Sequence, residues 1–154
     1  MLIVSDTTAL TTLIKTGMEH VLHALFGRII IPSKVADELL HHHDVIPSWC
    51  EVRAVEPSER LASLSAKVDA GEAEAICLAA ELKADAILLD DKKGRREAAA
   101  LQLPSLALPA VLVQAKRAGL ITSLKAAFVL LEQKGSYKLK PAALSELLRG
   151  AGEE

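Results

Sequence analysis

The sequence predicts an α/β fold in which helices surround a central parallel β-sheet. Short, continuously apolar segments alternate with longer segments whose apolar residues recur at helical spacing. Continuous apolar runs are typical of strands buried on both faces of a parallel sheet. The composition is 51% hydrophobic but only 3% aromatic, which favours aliphatic helix–sheet packing over an all-β sandwich. Because 154 residues suit one core, we expect one domain over residues 1–150 and a frayed tail over residues 151–154.

The first part of the chain predicts two strands, each followed by helices. Pro32 ends the second strand, and Ser33 suits the N-cap of the next helix because its hydroxyl can accept a hydrogen bond from a first-turn amide. The predicted strands cover residues 2–5 and 28–31, and the predicted helices cover residues 7–15, 18–25 and 33–43.

The second part continues this alternation and then becomes helical. Residues 49–55 alternate weakly, as an edge strand does, and residues 57–68 have a short helical pattern. From about residue 110 the patterns are helical, which predicts a helical C-terminal extension. The remaining predicted strands cover residues 86–89 and 105–108, and the remaining helices cover residues 72–83, 92–103, 110–117, 123–133 and 141–149.

Charge and cysteine content exclude several broad classes of protein. The net charge of −2 gives no general attraction for nucleic acid, so such a partner requires a local basic patch or metal ions. Cys50 and Cys77 lack the close spacing of a zinc or redox motif, which favours a reducing compartment. We find no secretory signal pattern and no bilayer-length apolar stretch. The sequence therefore predicts a cytoplasmic protein without a membrane partner.

Acidic residues follow two of the predicted strands. Asp6 ends the first strand, and Asp90 and Asp91 end the strand over residues 86–89. Ligands of open parallel sheets bind outside the carboxyl ends of the strands, so these three acids are expected at one edge. Two predicted helices carry further acids that could reach this edge: Asp37, Glu38, Glu72 and Glu74.

Several carboxylates in one place favour a divalent cation. Like charges a few ångströms apart raise each other's pKa, and a cation removes that repulsion. Oxygen ligands suit Mg²⁺ or Mn²⁺. Such an ion can activate water and stabilise the oxygens of a phosphodiester during in-line displacement. Metal-dependent phosphodiester hydrolysis is therefore the chemistry that these residues support.

Four segments of the sequence resemble the PIN-domain family of metal-dependent ribonucleases, which includes the VapC-type toxins of toxin–antitoxin pairs. The segments are IVSDTTAL, IIIPSKVADEL, GEAEAICLAAELKADAILLDDKKGR and LPAVLVQAKRAGLI. The sequence looks most like a branch of uncharacterised PIN-like nucleic-acid-binding proteins. The resemblance implies a three-layer α/β/α sandwich with a central parallel sheet, and acids at one edge that bind Mg²⁺ or Mn²⁺.

The resemblance also assigns roles to individual residues. Thr7 or Thr8 supplies the hydroxyl that follows the first acid, Glu74 is the alternative third acid, and Asp91 is the alternative fourth. The third acid is Glu where the family usually has Asp, and Leu89 stands where a Thr often precedes the last Asp. The implied catalytic and metal-binding quartet is Asp6, Glu38, Glu72 and Asp90.

Each of these acids also has a structural alternative. Asp6 could only cap a helix, Glu38 could lie on a solvated helix face, and Glu72 could be a first-turn acid favoured by the helix dipole. Of the adjacent pair, we expect Asp91 to cap the next helix and Asp90 to bind metal.

One dense basic cluster follows the acidic strand end. A run of this kind is either a solvated helix face or a grip on the phosphate backbone of RNA. The adjacent histidines at positions 41–43 point about 100° apart on a helix and cannot converge on one ion. The predicted RNA-binding residues are Lys92, Lys93, Arg95 and Arg96.

These observations together predict an endoribonuclease in which Mg²⁺ or Mn²⁺ activates water, acting as the toxin of a toxin–antitoxin pair. The resemblance further implies a homodimer and a small antitoxin protein that occupies the acidic groove. The alternative is a PIN-fold module that binds nucleic acid or protein without cutting. A Mg²⁺-dependent phosphatase fits less well because Thr8 stands where a second Asp is needed, and a phosphorelay receiver domain fits less still.

Overall fold

The computed structural model describes residues 1–153, and its centre is a parallel sheet of five strands in the order β3-β2-β1-β4-β5. Every strand pair is parallel, as the sequence predicts. The two strands at the ends of this order lie at the edges of the sheet. The strands are β1 (Ile3–Ser5), β2 (Ile29–Pro32), β3 (Cys50–Arg53), β4 (Ala86–Leu88) and β5 (Ser105–Leu106).

Helices cover both faces of the sheet, which makes the three-layer α/β/α sandwich expected from the sequence. Neighbouring strand residues enter opposite cores: Ile3 packs with the first core and Val4 with the second. The helices are α1 (Thr7–Lys15), α2 (His20–Phe26), α3 (Ser33–His42), α4 (Glu59–Ser65), α5 (Ala70–Leu82), α6 (Lys92–Ala100), α7 (Leu108–Arg117), α8 (Leu124–Lys134) and α9 (Pro141–Gly150). Buried residues of α1, α2, α3, α7 and α8 form the first core, and those of α4, α5 and α6 join the second.

The sheet register places the ends of β1 and β4 side by side. Ser5 pairs with Leu88 across the two strands, and the amide of Asp6 donates to the carbonyl of Leu88 at 3.0 Å. Both chains therefore leave the sheet at the same edge, and each is followed there by acidic residues. The backbone thus fixes Asp6 near Asp90 independently of their side chains.

At the starts of α3 and α5, carboxylates that the sequence analysis did not identify as caps bind the first-turn amides. Ser33 is the first residue of α3 and not its N-cap; Pro32 holds the cap position, and the Glu74 carboxylate accepts from the Lys34 amide at 3.1 Å. Helix α5 begins at Ala70, two residues before the predicted start, because Asp69 caps it. In both cases a carboxylate outside the predicted helix satisfies the free amides.

The segment after α9 is held in place at Glu153, where a frayed tail was expected. The Glu153 carboxylate accepts from the amides of Leu124 and Lys125 at 2.7 and 3.1 Å and forms an ion pair with Lys116. Residue 154 lies outside the described residues. None of the helices within residues 1–153 combines the length and hydropathy needed to cross a membrane.

Candidate active site

Acidic side chains from four segments meet at the carboxyl edge of the sheet. Burial, together with the negative charges of Asp69, Glu38 and Asp90, raises the pKa of Asp6 to about 7. Glu72 belongs to the same group because the charge of Asp6 also raises the Glu72 pKa. The structure thus brings the predicted quartet together and adds Asp69, which the sequence prediction missed.

Asp6 stands at the N-cap position of α1, but its side chain does not cap the helix. The carboxylate makes no capping hydrogen bond, although the backbone amide of Thr7 offsets part of the rise in its pKa. The residue is only 6% exposed. Burying a carboxylate without a capping role is unfavourable, so helix capping does not explain why an Asp stands here.

Glu38 reaches the acid group from α3. Thr7 Oγ1 donates to Glu38 Oε2 at 3.2 Å, while Thr8 is exposed. Burial raises the Glu38 pKa, and the Thr7 hydroxyl lowers it. A Cβ atom at Gly71 would overlap Glu38 Oε1, so the carboxylate lies directly against the first turn of α5. This contact places Glu38 in the group, whereas its neighbour Asp37 is exposed.

Glu72 and Asp69 form a reciprocal pair of hydrogen bonds at the start of α5. The Glu72 amide donates to Asp69 Oδ1 at 2.9 Å, and the Asp69 amide donates to Glu72 Oε2 at 3.2 Å. Glu72 is only 5% exposed, and burial, followed by the charges of Asp69 and Asp6, raises its pKa to about 8. The Asp-x-x-Glu spacing of a capping box was the signal in the sequence that could have identified Asp69.

The two alternative acids lie in other contacts. Glu74, on the same helix as Glu72, caps the start of α3 through the Lys34 amide. Asp91 caps α6 by accepting from the Gly94 amide at 3.0 Å, as expected from the sequence. Both carboxylates therefore cap helices, whereas the buried carboxylate of Asp6 makes no capping hydrogen bond.

Asp90 has one satisfied and one free oxygen. Oδ1 accepts from the Leu108 amide at 2.7 Å, which ties the β4 end to the start of α7. Oδ2 is buried and, within residues 1–153, has no partner of ordinary hydrogen-bond geometry. The phenol of Tyr137 lies near the Asp90 carboxylate. Burial and this carboxylate both raise the pKa of Tyr137. An unpaired buried carboxylate oxygen is unfavourable unless something else binds it.

The acids fit a hard divalent cation in their chemistry. Asp6, Glu38, Glu72 and Asp90 offer only oxygen ligands, and the free Asp90 Oδ2 is available to accept a cation. Within residues 1–153, however, no three Asp, Glu, His or Cys side chains are arranged to hold an ion as they stand. Cation binding would therefore draw these carboxylates together.

The basic residues predicted to bind RNA have different surroundings around α6. Arg95 Nε donates to Ser105 Oγ at 3.3 Å, towards β5. Lys93 and Arg96 border a cavity on the other side of the helix, and Lys92 is exposed. The four side chains therefore do not act as one surface.

The histidines at positions 41–43 have different surroundings from the acids. His42 and His43 border a cavity of about 740 Å³ together with Trp49, which lies just before β3 at the amino end of the sheet. No member of the acid group borders this cavity. Cavity size therefore does not identify the acid site.

The layer order and the acid group together define the class of protein: a three-layer α/β domain with a parallel sheet and an acidic carboxyl edge. A family model described as "PIN domain" matches residues 2–153. The chain belongs to the PIN-domain family. Proteins of this family are generally nucleases and generally use divalent metal ions.

A solved structure supports the same fold. The chain resembles a PilT N-terminus domain protein from the hyperthermophilic archaeon Sulfolobus solfataricus P2, with a TM-score of 0.56 and 19% identity over 75% of this chain and 93% of that chain. At this identity the likeness concerns the fold alone. A comparison with curated proteins finds no match.

Proposed function

We propose that this protein is an endoribonuclease that depends on Mg²⁺ or Mn²⁺ and hydrolyses RNA phosphodiester bonds. The observation that carries the proposal is the cluster of carboxylates whose charge the protein leaves uncompensated. Asp6 and Glu72 are buried and have raised pKa values, and within residues 1–153 the buried Asp90 Oδ2, near the Tyr137 phenol, has no hydrogen bond of ordinary geometry. Groups of this kind are typical of functional sites because a stable fold does not need them.

Asp6, Glu38, Glu72 and Asp90 are the residues that would hold the cation. When bound, the cation supplies positive charge and lowers the pKa of water, which gives a nucleophile near neutral pH. The protein residues supply placement: Thr7 orients Glu38, and Asp69 orients Glu72 through the capping box. Such orienting contacts typically change metal affinity or activity by about 10-fold to 100-fold when removed.

We further propose that the protein acts as the toxin of a toxin–antitoxin pair. In that role a small antitoxin protein would occupy the acidic groove, and the toxin would form a homodimer. Support comes from membership of the PIN-domain family together with the resemblance of the sequence to VapC-type toxins. Co-expression with the product of an adjoining short gene, followed by purification and mass measurement, tests this assignment.

The direct test is cleavage of a labelled single-stranded RNA. We expect cleavage with Mn²⁺ or Mg²⁺, none with EDTA, and a loss greater than about 100-fold in Glu72→Gln, because a metal ligand matters more than the residues that orient it. Gln at the same position keeps the capping box possible. The variant therefore removes the negative charge while leaving the start of α5 folded.

Glu74→Gln is the matched control, since Glu74 lies two positions along the same helix and a Gln oxygen can still accept from the Lys34 amide. It should cleave like the wild type. Cleavage that persists in EDTA, or equal losses in the two variants, would overturn the mechanism. Tight RNA binding without cleavage in either metal would support the alternative, a PIN-fold module that binds without cutting.

A further inference from the structure

A small cavity beside the acid group is bordered mainly by basic residues. It measures about 280 Å³ and lies between the end of α4 and the exposed face of α6. At this size it is below the usual range of pockets for drug-sized ligands, which begins near roughly 300 Å³. Its lining residues are Ala66, Lys67, Lys93, Arg96 and Glu97.

Both walls of this cavity continue directly into the acidic segments. Lys67 precedes Asp69 by two residues, and Lys93 follows Asp91 by two residues. The helix that carries Lys93 passes close to the acids, since a Cβ atom at Gly94 would lie 3.3 Å from Glu72 Oε1. The residues that line the cavity are therefore joined to the acid group by short chain segments.

The cavity carries an excess of positive charge that the protein only partly neutralises. Lys67 Nζ lies 3.3 Å from Glu97 Oε1. Lys93 and Arg96 have no ion-pair partner within the part of the chain that the structure describes. Three cations against one carboxylate leave two positive charges at one place. Arg95, by contrast, is turned away towards Ser105.

We propose that this cavity binds a backbone phosphate of single-stranded nucleic acid, and that Glu97 is an internal competitor that holds Lys67 until the phosphate arrives. The inference rests on the proposed function, because cleavage at the acid group is what brings a single strand of RNA to this edge of the sheet. Lysine and arginine neutralise backbone phosphates with release of counterions. The lining contains no aromatic side chain, and aromatic side chains are the usual platform for a stacked base, so the charge of the lining favours a phosphate.

The test measures binding of a labelled single-stranded RNA by fluorescence anisotropy in EDTA over a series of salt concentrations. Lys93→Gln and Arg96→Gln should each weaken binding by about threefold to tenfold at low salt and reduce the salt slope by about 0.7, the value for one phosphate on a single strand. Glu97→Gln should tighten binding. In a Lys67→Gln background Glu97→Gln should tighten it less, because the competitor then has no lysine to hold.

Lys92→Gln is the matched control, since it removes the same charge from the same helix outside the cavity. We expect a clearly smaller loss than for Lys93→Gln. Equal losses in these two variants, or identical effects of Glu97→Gln with and without Lys67, would overturn the cavity proposal and leave a general charge effect. Competition by millimolar inorganic phosphate as effective as that by unlabelled RNA would also overturn it in favour of a site for free phosphate.

Failure of this proposal is distinguishable from failure of the proposed function. Binding is measured in EDTA and does not depend on cleavage, so a protein that never cuts can still show the Lys93 and Glu97 effects. Conversely, a protein that cuts RNA with Mn²⁺ but binds equally well after Lys93→Gln and Arg96→Gln keeps the proposed function and loses the phosphate site. Lys67 is 55% exposed, so its replacement should not impair folding.

Discussion

The carboxylates at the acidic edge of the sheet and the carboxylate of Glu153 have opposite surroundings. At the carboxyl edge of the sheet, burial and neighbouring acids raise the pKa of Asp6 to about 7 and of Glu72 to about 8. Beyond α9, the ion pair with Lys116 and the amides of Lys125 and Leu124 lower the pKa of Glu153 to about 2. The structure therefore destabilises the charged form of Asp6 and Glu72, and it stabilises the charged form of Glu153.

The difference separates function from stability. The Glu153 carboxylate accepts from amides at the N-terminus of α8 and pairs with Lys116, where negative charge is favourable. Asp6 and Glu72 stand where negative charge is unfavourable until a positive ligand arrives. A fold selected for stability alone would resemble the Glu153 region throughout. The carboxylates at the acidic edge therefore lower the stability of the protein.

The largest expected effect is a fall in stability of the metal-free protein between pH 5 and pH 8. The folded pKa of Asp6, about 7, lies above its ordinary value of 3.8, so between these values the native state binds more protons than the unfolded state. The free energy of unfolding must then decrease as pH rises. Asp6 alone should account for roughly 2–4 kcal/mol, since one pKa unit corresponds to about 1.4 kcal/mol.

Urea denaturation in EDTA at both pH values measures this effect. Asp6→Asn should be more stable than the wild type at pH 8 and differ little at pH 5. Asp37→Asn, at an exposed acid of α3, is the control and should follow the wild type. If the free energy of unfolding changed with pH in the same way for Asp6→Asn and the wild type, burial of the Asp6 carboxylate would not destabilise the protein.

A smaller effect is expected from Gly71→Ala, which tests whether the acid group needs its geometry. The new methyl group would overlap Glu38 Oε1 and displace the end of a flexible side chain, so stability should change little. RNA cleavage should fall by about 10-fold to 100-fold, because small displacements of catalytic groups are costly. The readouts are kcat/KM for labelled RNA and the thermal midpoint.

Gly150→Ala serves as the control for this change, since a Cβ atom there meets nothing within 4 Å. It should leave both cleavage and the thermal midpoint near wild-type values. Normal cleavage by Gly71→Ala would show that the position of Glu38 is not critical.

The smallest effect is expected at Glu153. Glu153→Gln should lower the thermal midpoint modestly at pH 7 and leave RNA cleavage unchanged. Because the folded pKa lies near 2, below the ordinary value of 4.5, this stabilisation is complete above pH 4.5 and is lost as pH falls through about 2. The two proteins should therefore melt together near pH 2, and added salt should reduce the difference at pH 7.

Glu132→Gln provides a comparison with an ordinary exposed ion pair, because Glu132 lies 3.8 Å from Lys138 on the surface. Exposed pairs contribute little, so this variant should melt with the wild type. An equal change in both variants would mean that the Glu153 contacts are no stronger than a surface pair.

Local sequence signals were sufficient for the order of strands and helices, whereas the choice of Glu38 and Glu72 among the candidate acids came from the resemblance to the PIN-domain family. The apolar runs at β1, β2 and β4 each end at or next to their predicted positions, and Asp91 caps α6 as expected. Ser33 failed as a cap because Glu74, 41 residues away in the chain, satisfies the Lys34 amide instead. Propensity describes neighbours in sequence, and it cannot anticipate a partner that folding supplies.

The sequence by itself determined that acids follow strands that are buried on both faces, because period and composition are local properties. Only the tertiary structure decided which acids share a site. It placed Glu72 at the acidic edge and Glu74 at α3, and it added Asp69. The physical reason is that helical residues two apart face different directions, so neighbours in sequence become separate in space while distant carboxylates meet. Tertiary contacts therefore decide whether a carboxylate has a cationic partner, as Glu153 has in Lys116, or lacks one, as Asp6 does.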